Sequence, residues 1–153
     1  MDDLHLERVT PANVGPACDI ALLPGQERYV ATVARSLAEA YADPEHAWPR
    51  LIYTGDRLVG FVMGGFRPGD PLLSSTLWRL NIAGDAQRSG CGRFAVRAVA
   101  AEARRRGHEV LTTAYVLGPQ SPRDFYLHLG FRPTGRSLHG QFEAAAPAVL
   151  LLG

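Results

Sequence analysis

Two short stretches of this 153-residue chain put chemically capable residues at meaningful spacing. The first is Gln87-Arg88-Ser89-Gly90-Cys91-Gly92-Arg93, between a strand-like run at 77–82 and a helix-like run at 94–106. A glycine-rich turn that ends a strand and opens a helix gathers unpaired backbone N–H groups at one point, and the helix dipole adds partial positive charge there. Such a turn is a cradle for phosphate groups. The second stretch is Asp124-Phe125-Tyr126-Leu127-His128-Leu129-Gly130-Phe131. Its aromatic and leucine residues anchor a short helix, Gly130 can take the left-handed conformation at the helix end, and Tyr126 projects a phenol from a rigid element. A phenol of pKa about 10 is a suitable proton donor to a departing thiolate. A buried aromatic cluster is the other reading of this stretch, and for Phe125 and Phe131 it is the favoured one.

Known phosphate loops narrow the choice. The P-loop requires a lysine, and all sixteen basic residues here are arginine. The dinucleotide fingerprint accepts Gly90, Gly92 and Ala95, but the turn comes past the middle of the chain, and the acidic partner, Glu109, starts the next strand instead of ending it. A third pattern, Q/R-x-x-G-x-G/A after a strand, is met at every fixed position by Gln87, Gly90 and Gly92. An ordinary glycine-rich connection is the remaining alternative.

This third pattern resembles the acetyl-CoA-binding motif of the GNAT superfamily of N-acetyltransferases, and residues 125–131 resemble the F-Y-x-x-L-G-F signature of the same superfamily. The resemblance implies acetyl-CoA as cofactor, with coenzyme A as product. Main-chain groups of Asn81 and Ile82 would pair with the pantetheine arm. Gln87 and the turn residues Arg88, Ser89, Gly90, Cys91, Gly92 and Arg93 would hold the pyrophosphate. Tyr126 would be the catalytic acid. No acid or histidine stands in residues 74–83, and the nearest candidates for a general base are Glu27, Glu39 and Glu143.

The elements that must position these residues follow from periodicity. Residues 4–9 alternate as a first strand, and Thr10-Pro11-Ala12-Asn13 reads as a helix start with Thr10 as cap and Pro11 at the first helical position. Residues 26–41 carry Val30, Val33, Ala34, Leu37, Ala38 and Tyr41 at helical spacing. Asp43 to Pro49 breaks that helix, and residues 51–53 and 58–64 form a hairpin around Gly55-Asp56. Strand 77–82 precedes the turn. Helix 93–106 buries Ala95, Val96, Val99 and Ala103, strand 110–116 follows, and residues 148–152 read as a last strand. The order β-α-α-β-β-β-α-β-α-β predicts an α+β domain over residues 1–153, built on a mixed, mainly antiparallel sheet. That is also the layout of the GNAT fold.

Composition agrees with a globular enzyme. The net charge of +1 gives no nucleic-acid footprint. Cys18 and Cys91 make no metal spacing, nor do the five histidines, so no metal is expected. No leader and no run of 18 apolar residues is present, which predicts a cytoplasmic protein without membrane contact.

Outside the cofactor motifs, Gln26-Glu27-Arg28-Tyr29-Val30, Ser36-Leu37-Ala38-Glu39-Ala40-Tyr41, Ala47-Trp48-Pro49 and Leu77-Trp78-Arg79 resemble the bacterial spermine/spermidine (diamine) N-acetyltransferases. This implies a small-molecule amine acceptor such as a polyamine, with Glu27, Glu39 and Tyr41 on the second helix as its binding residues. The family commonly dimerises, so a homodimer is among the implied partners. An amino acid, an aminoglycoside or a protein amine is an alternative acceptor, and an acyl-CoA-binding module without turnover is an alternative role.

Overall fold

The structure, a computed structural model, describes residues 3–71 and 73–153. Its centre is a seven-stranded sheet in the order β1-β2-β3-β4-β5-β7-β6, flanked by five helices. Strand β1 (Leu4–Glu7), β2 (Ala47–Thr54), β3 (Arg57–Gly65) and β4 (Thr76–Ile82) form an antiparallel meander. Register pairs Phe61 with Asn81 and Val62 with Leu80, so alternate residues face opposite sides of the sheet. Phe61 and Met63 pack with Ala17 of helix α1 (Val14–Cys18) and with Val33 and Ala40 of helix α2 (Val33–Ala42). Val62 packs on the other face with Ala95, Val96, Val99 and Ala103 of helix α3 (Cys91–Arg105). Those four α3 residues are the predicted ones, because an apolar stripe at 3.6-residue spacing can only be buried on one side.

Strand β5 (Val110–Tyr115) runs parallel to β4 but pairs with it only at Thr76–Thr112 and Leu77–Thr113. The Thr112 N–H donates to Ser75 O at 3.0 Å, and the Thr76 hydroxyl donates to Thr112 O at 3.0 Å, which pins the strands at this end. From Trp78 onward β4 has no β5 partner, while β5 stays paired through Tyr115 with β7. The two central strands therefore splay apart.

Three expectations need correction. The predicted helix over 26–41 is broken: Glu27–Tyr29 form a 3-10 turn, Val30 is extended (φ −148°, ψ 145°), and α2 starts only at Val33. Thr32 causes the restart, since its Oγ1 accepts the Arg35 N–H at 3.1 Å as an N-cap. Glu27 and Glu39 are thus not on one helix. Likewise the first helix is not capped by Thr10: Asn13 Oδ1 accepts the Thr10 N–H, and α1 begins at Val14. The predicted last strand over 148–152 is helix α5 (Ala148–Leu151), entered from Pro147. Before it lie helix α4 (Arg123–Leu129) and an unpredicted hairpin, β6 (Arg132–Leu138) and β7 (Gln141–Pro147), with β7 inserted beside β5. Every residue of β6 is exposed, so no apolar alternation marked it.

Candidate active site between the splayed strands

After β4 the chain makes a short 3-10 turn (Gly84–Ala86), extends at Gln87 and enters α3. Arg88 and Gly90 have φ of +61° and +91°, so the backbone reverses twice before the helix. Gly90 takes this conformation without strain, whereas Arg88 is an uncommon side chain there. Phe94 N–H is the first α3 amide in the helical ladder, donating to Gly90 O at 3.0 Å. The amides of Cys91, Gly92 and Arg93 stand ahead of it, at the positive end of a 15-residue helix. Arg88 and Arg93 are exposed at this mouth, and neither has an acidic partner among the described residues. Cys91 is buried beneath it at 1% exposure, and Ser89 Oγ donates to Ala86 O. A Cβ at Gly92 would lie 3.0 Å from the Phe125 ring, a contact tight enough that the ring would have to shift. The turn fits a pyrophosphate, through amides, a helix terminus and unpaired guanidinium groups.

The Gln87 side chain is engaged within the protein. Its Nε2 donates to Ile82 O at 3.0 Å and to Gln26 Oε1 at 2.7 Å, while Gln26 Nε2 donates back to Gln87 Oε1 at 3.0 Å. The side chain braces the turn against β4 and the segment before α2, and does not face the cradle.

The open edge of β4 is set by strand alternation. The Ala83 N–H donates to Val59 O on β3, so the main chain of Asn81 also faces β3. Leu80 and Ile82 turn their N–H and C=O groups to the splayed side. The edge available to a pantetheine arm is therefore Leu80 and Ile82; the main chain of Asn81 is directed away from it.

Tyr126 sits on α4, whose C-terminus is closed by Gly130 at φ +118°. Its ring is 6% exposed, tilted on Phe125 at 5.3 Å, edge-on to Phe131 at 5.7 Å and stacked with Tyr115 at 6.4 Å between centroids. Burial pushes its pKa up to about 12, and the neighbouring Thr113 hydroxyl pulls partly against that rise. The phenol is thus neutral at physiological pH. Thr113 belongs to the last β4–β5 pair, so this hydroxyl pair sits at the apex of the splay.

The expected acceptor residues are not brought together. Glu27 Oε2 accepts the Gly25 N–H at 2.9 Å. Glu39 is held by Arg79 at 3.1 Å and by Arg35 at 3.1 Å. Tyr41 is 89% exposed. Glu143 lies on β7, where it accepts the Thr134 hydroxyl at 2.9 Å. What crosses the splay is the segment 22–32, a strap. Gln26 ties it to Gln87 at the end of β4, and Tyr29 Oη accepts the Gln120 N–H at 3.3 Å beyond β5. At its root a cleft of about 610 Å³ is lined by Pro16, Ile20, Leu22, Leu23 and Leu58, with the carboxylates of Asp19 and Asp85 at its edge. Gln26, Thr113 and the Asn81 side chain also stand in this region, and sequence reasoning gave them no part in it. Only the Thr112-Thr113 pair inside an apolar strand gave any signal.

A parallel pair opened beyond two residues, a phosphate turn at the end of the first strand and a buried phenol at the apex define an acyl-CoA-dependent N-acyltransferase. The acetyltransferase (GNAT) family model matches residues 18–131, and the chain belongs to that family. It is an acetyl-CoA-dependent N-acetyltransferase. Comparison with curated protein sequences finds no significant match. Among solved structures, an acetyltransferase from Thermus thermophilus superposes with a TM-score of 0.70 at 25% identity, covering 94% of this chain and 96% of the other. An aminoglycoside N-acetyltransferase complexed with coenzyme A gives 0.73 at 17% identity, over 94% and 97% of the two chains. A ribosomal-protein-alanine N-acetyltransferase from Escherichia coli gives 0.69 at 17%, over 95% and 94%. The last two likenesses are of fold, and these enzymes are named for different amines. No helix among the described residues is long and apolar enough to cross a membrane.

Proposed function

We propose that this acetyltransferase moves the acetyl group to a primary amine with an aliphatic body, a polyamine such as spermidine being the first candidate. The observation that carries this reading is the cleft at the root of the strap: an apolar wall from Ile20 to Leu23 and Leu58, edged by Asp19 and Asp85, next to the end of β4. Apolar surface suits methylene groups and a carboxylate suits a distant ammonium. Asp85 is shared with Arg57 at 2.8 Å, so Asp19 is the freer of the two. Glu39 is spent on Arg79 and does not support the polyamine reading.

In this reading the turn amides of residues 88–93 with Arg88 and Arg93 bind the pyrophosphate, and Leu80 and Ile82 align the pantetheine arm along β4. Acetyl-CoA supplies the activated acetyl group as a thioester. The amine nitrogen, in its neutral form, attacks the carbonyl carbon; the N–C bond forms and the C–S bond breaks. Tyr126 donates a hydrogen bond, then its proton, to the departing thiolate. The thiolate of a thiol of pKa about 8.5 is a weaker base than this phenolate, so the transfer is coupled to return of the attacking amine's proton, through water, to the Tyr126 oxygen. No carboxylate base is required on β4.

Purified protein with acetyl-CoA and spermidine, putrescine, glycinamide or kanamycin, read by thiol release, tests this. The reading predicts highest turnover on spermidine. Preference for glycinamide or kanamycin overturns the polyamine and leaves the transferase standing.

A further inference from the structure

Asn81 is 3% exposed on β4, on the sheet face that carries α1 and α2. Its Nδ2 donates to Ala31 O at 3.1 Å, where the strap is extended just before the Thr32 cap. A carbonyl can accept only from the nitrogen end of the carboxamide, so this bond fixes which way the side chain is turned. The oxygen is left over: Asn81 Oδ1 is buried and has no hydrogen-bond partner among the described residues. Folded chains seldom keep such an atom, because a buried acceptor without a donor is costly.

Its surroundings say what could fill it. Asn81 stands between Leu80 and Ile82, whose main chain lines the open edge of β4. The strap that covers it runs back through Leu23 and Leu22 into the cleft beside Ala83. The cleft reaches Ala83, two residues along the chain from Asn81, so an acceptor whose tail lies in it has its head beside Asn81 and the strap.

Building on the transferase reading above, we propose that Asn81 Oδ1 recognises the acceptor amine, accepting one N–H as the amine enters beneath the strap and turning the nitrogen lone pair toward the open edge of β4. The chemistry suits a nucleophile better than a carboxylate would. A carboxylate stabilises the ammonium form, which cannot attack; an amide oxygen accepts an N–H from the neutral amine without adding a charge that holds the extra proton. Amines bearing an N–H are recognised in this way, and tertiary amines are not.

The test compares Asn81→Leu and Asn81→Asp in the full chain, using the best acceptor of the four-amine panel. Leu removes both ends of the carboxamide; Asp keeps an oxygen acceptor and loses the bond to Ala31. Leu should raise KM for the amine at least about tenfold, leaving the acetyl-CoA dissociation constant within about twofold, and Asp should recover most of the lost affinity. An unchanged amine KM in Asn81→Leu overturns the proposal. So does an Asp variant no better than Leu, which would reduce Asn81 to a tether for the strap. If Leu fails to fold, the Asp variant decides alone: an amine KM near that of the unaltered protein upholds the proposal, and a tenfold rise overturns it. Absence of turnover by the unaltered protein on every amine is a distinct result, and it falls on the transferase reading.

Discussion

The two sides of the splay are built differently. On the β4–α3–β5–α4 side, the groups suited to the acetyl donor are held by packing and by a braced turn: Gly92 lies against Phe125, Tyr126 among three aromatic rings, and Gln87 ties the turn to Ile82 O. On the strap–α2 side, the charged groups are spent on each other: Glu39 on Arg79 and Arg35, Asp43 on Arg67 and His46. A fold that serves one fixed cofactor can set that half rigidly, and leave recognition of the acceptor to a segment tied down by only a few hydrogen bonds. The difference predicts that substitutions on the first side remove chemistry, while substitutions on the second change stability or choice of amine.

The largest effect is expected at the turn. Gly92→Asp puts a Cβ against the Phe125 ring and a negative charge in the cradle, and should weaken acetyl-CoA binding by at least roughly 100-fold, about 3 kcal/mol, measured by titration calorimetry. Retained affinity would break the contrast at its strongest point. Tyr126→Phe keeps the aromatic packing and should lower kcat roughly 100-fold with acetyl-CoA affinity unchanged; an unaltered rate removes the phenol from the chemistry.

On the other side, Glu39→Ala leaves the 16%-exposed Arg79 guanidinium with no carboxylate at hand. It should cost about 1–3 kcal/mol in chemical denaturation and leave the amine KM nearly constant. A rise in KM with no loss of stability would return Glu39 to substrate binding.

The smallest effect concerns Glu102 at the far end of α3. Arg105, and then Arg106, hydrogen bond its carboxylate and hold its pKa at about 2, below the usual 4.5. A depressed folded-state value means that the stabilisation is complete above about pH 4.5 and is lost as pH falls toward 2. Because Arg105 is 70% exposed, solvent screening limits this to about 1 kcal/mol. Urea midpoints followed down through this window should fall more steeply for the unaltered protein than for Glu102→Gln, with transferase activity at neutral pH the same in both.

What the amino-acid sequence revealed follows the same division. The turn, α3 and α4 were legible because several local signals agree there: glycines at fixed offsets, an apolar stripe at helical spacing and a helix-ending glycine. The strap was not, since Val30, Val33, Leu37 and Tyr41 hold helical spacing across a break that depends on Thr32 capping α2 and on Asn81 drawing away the Ala31 carbonyl. The β6–β7 hairpin was hidden because β6 is exposed throughout, and α5 was misread because a four-residue apolar run carries no period of its own. The splay carries no local sequence signal: it comes from where β4–β5 pairing stops, a property of two strands far apart in the sequence. The unpaired Oδ1 of Asn81 is likewise visible only in three dimensions.

The central claim is that acetyl-CoA lies along β4 with its pyrophosphate in the turn. Hydrogen–deuterium exchange with and without acetyl-CoA, resolved to single amides, tests it most directly. The account predicts slowed exchange at Leu80, Ile82 and residues 88–93, with the β3-facing amide of Asn81 unchanged. Protection confined to the cleft beside α1, or none at residues 88–93, would contradict it.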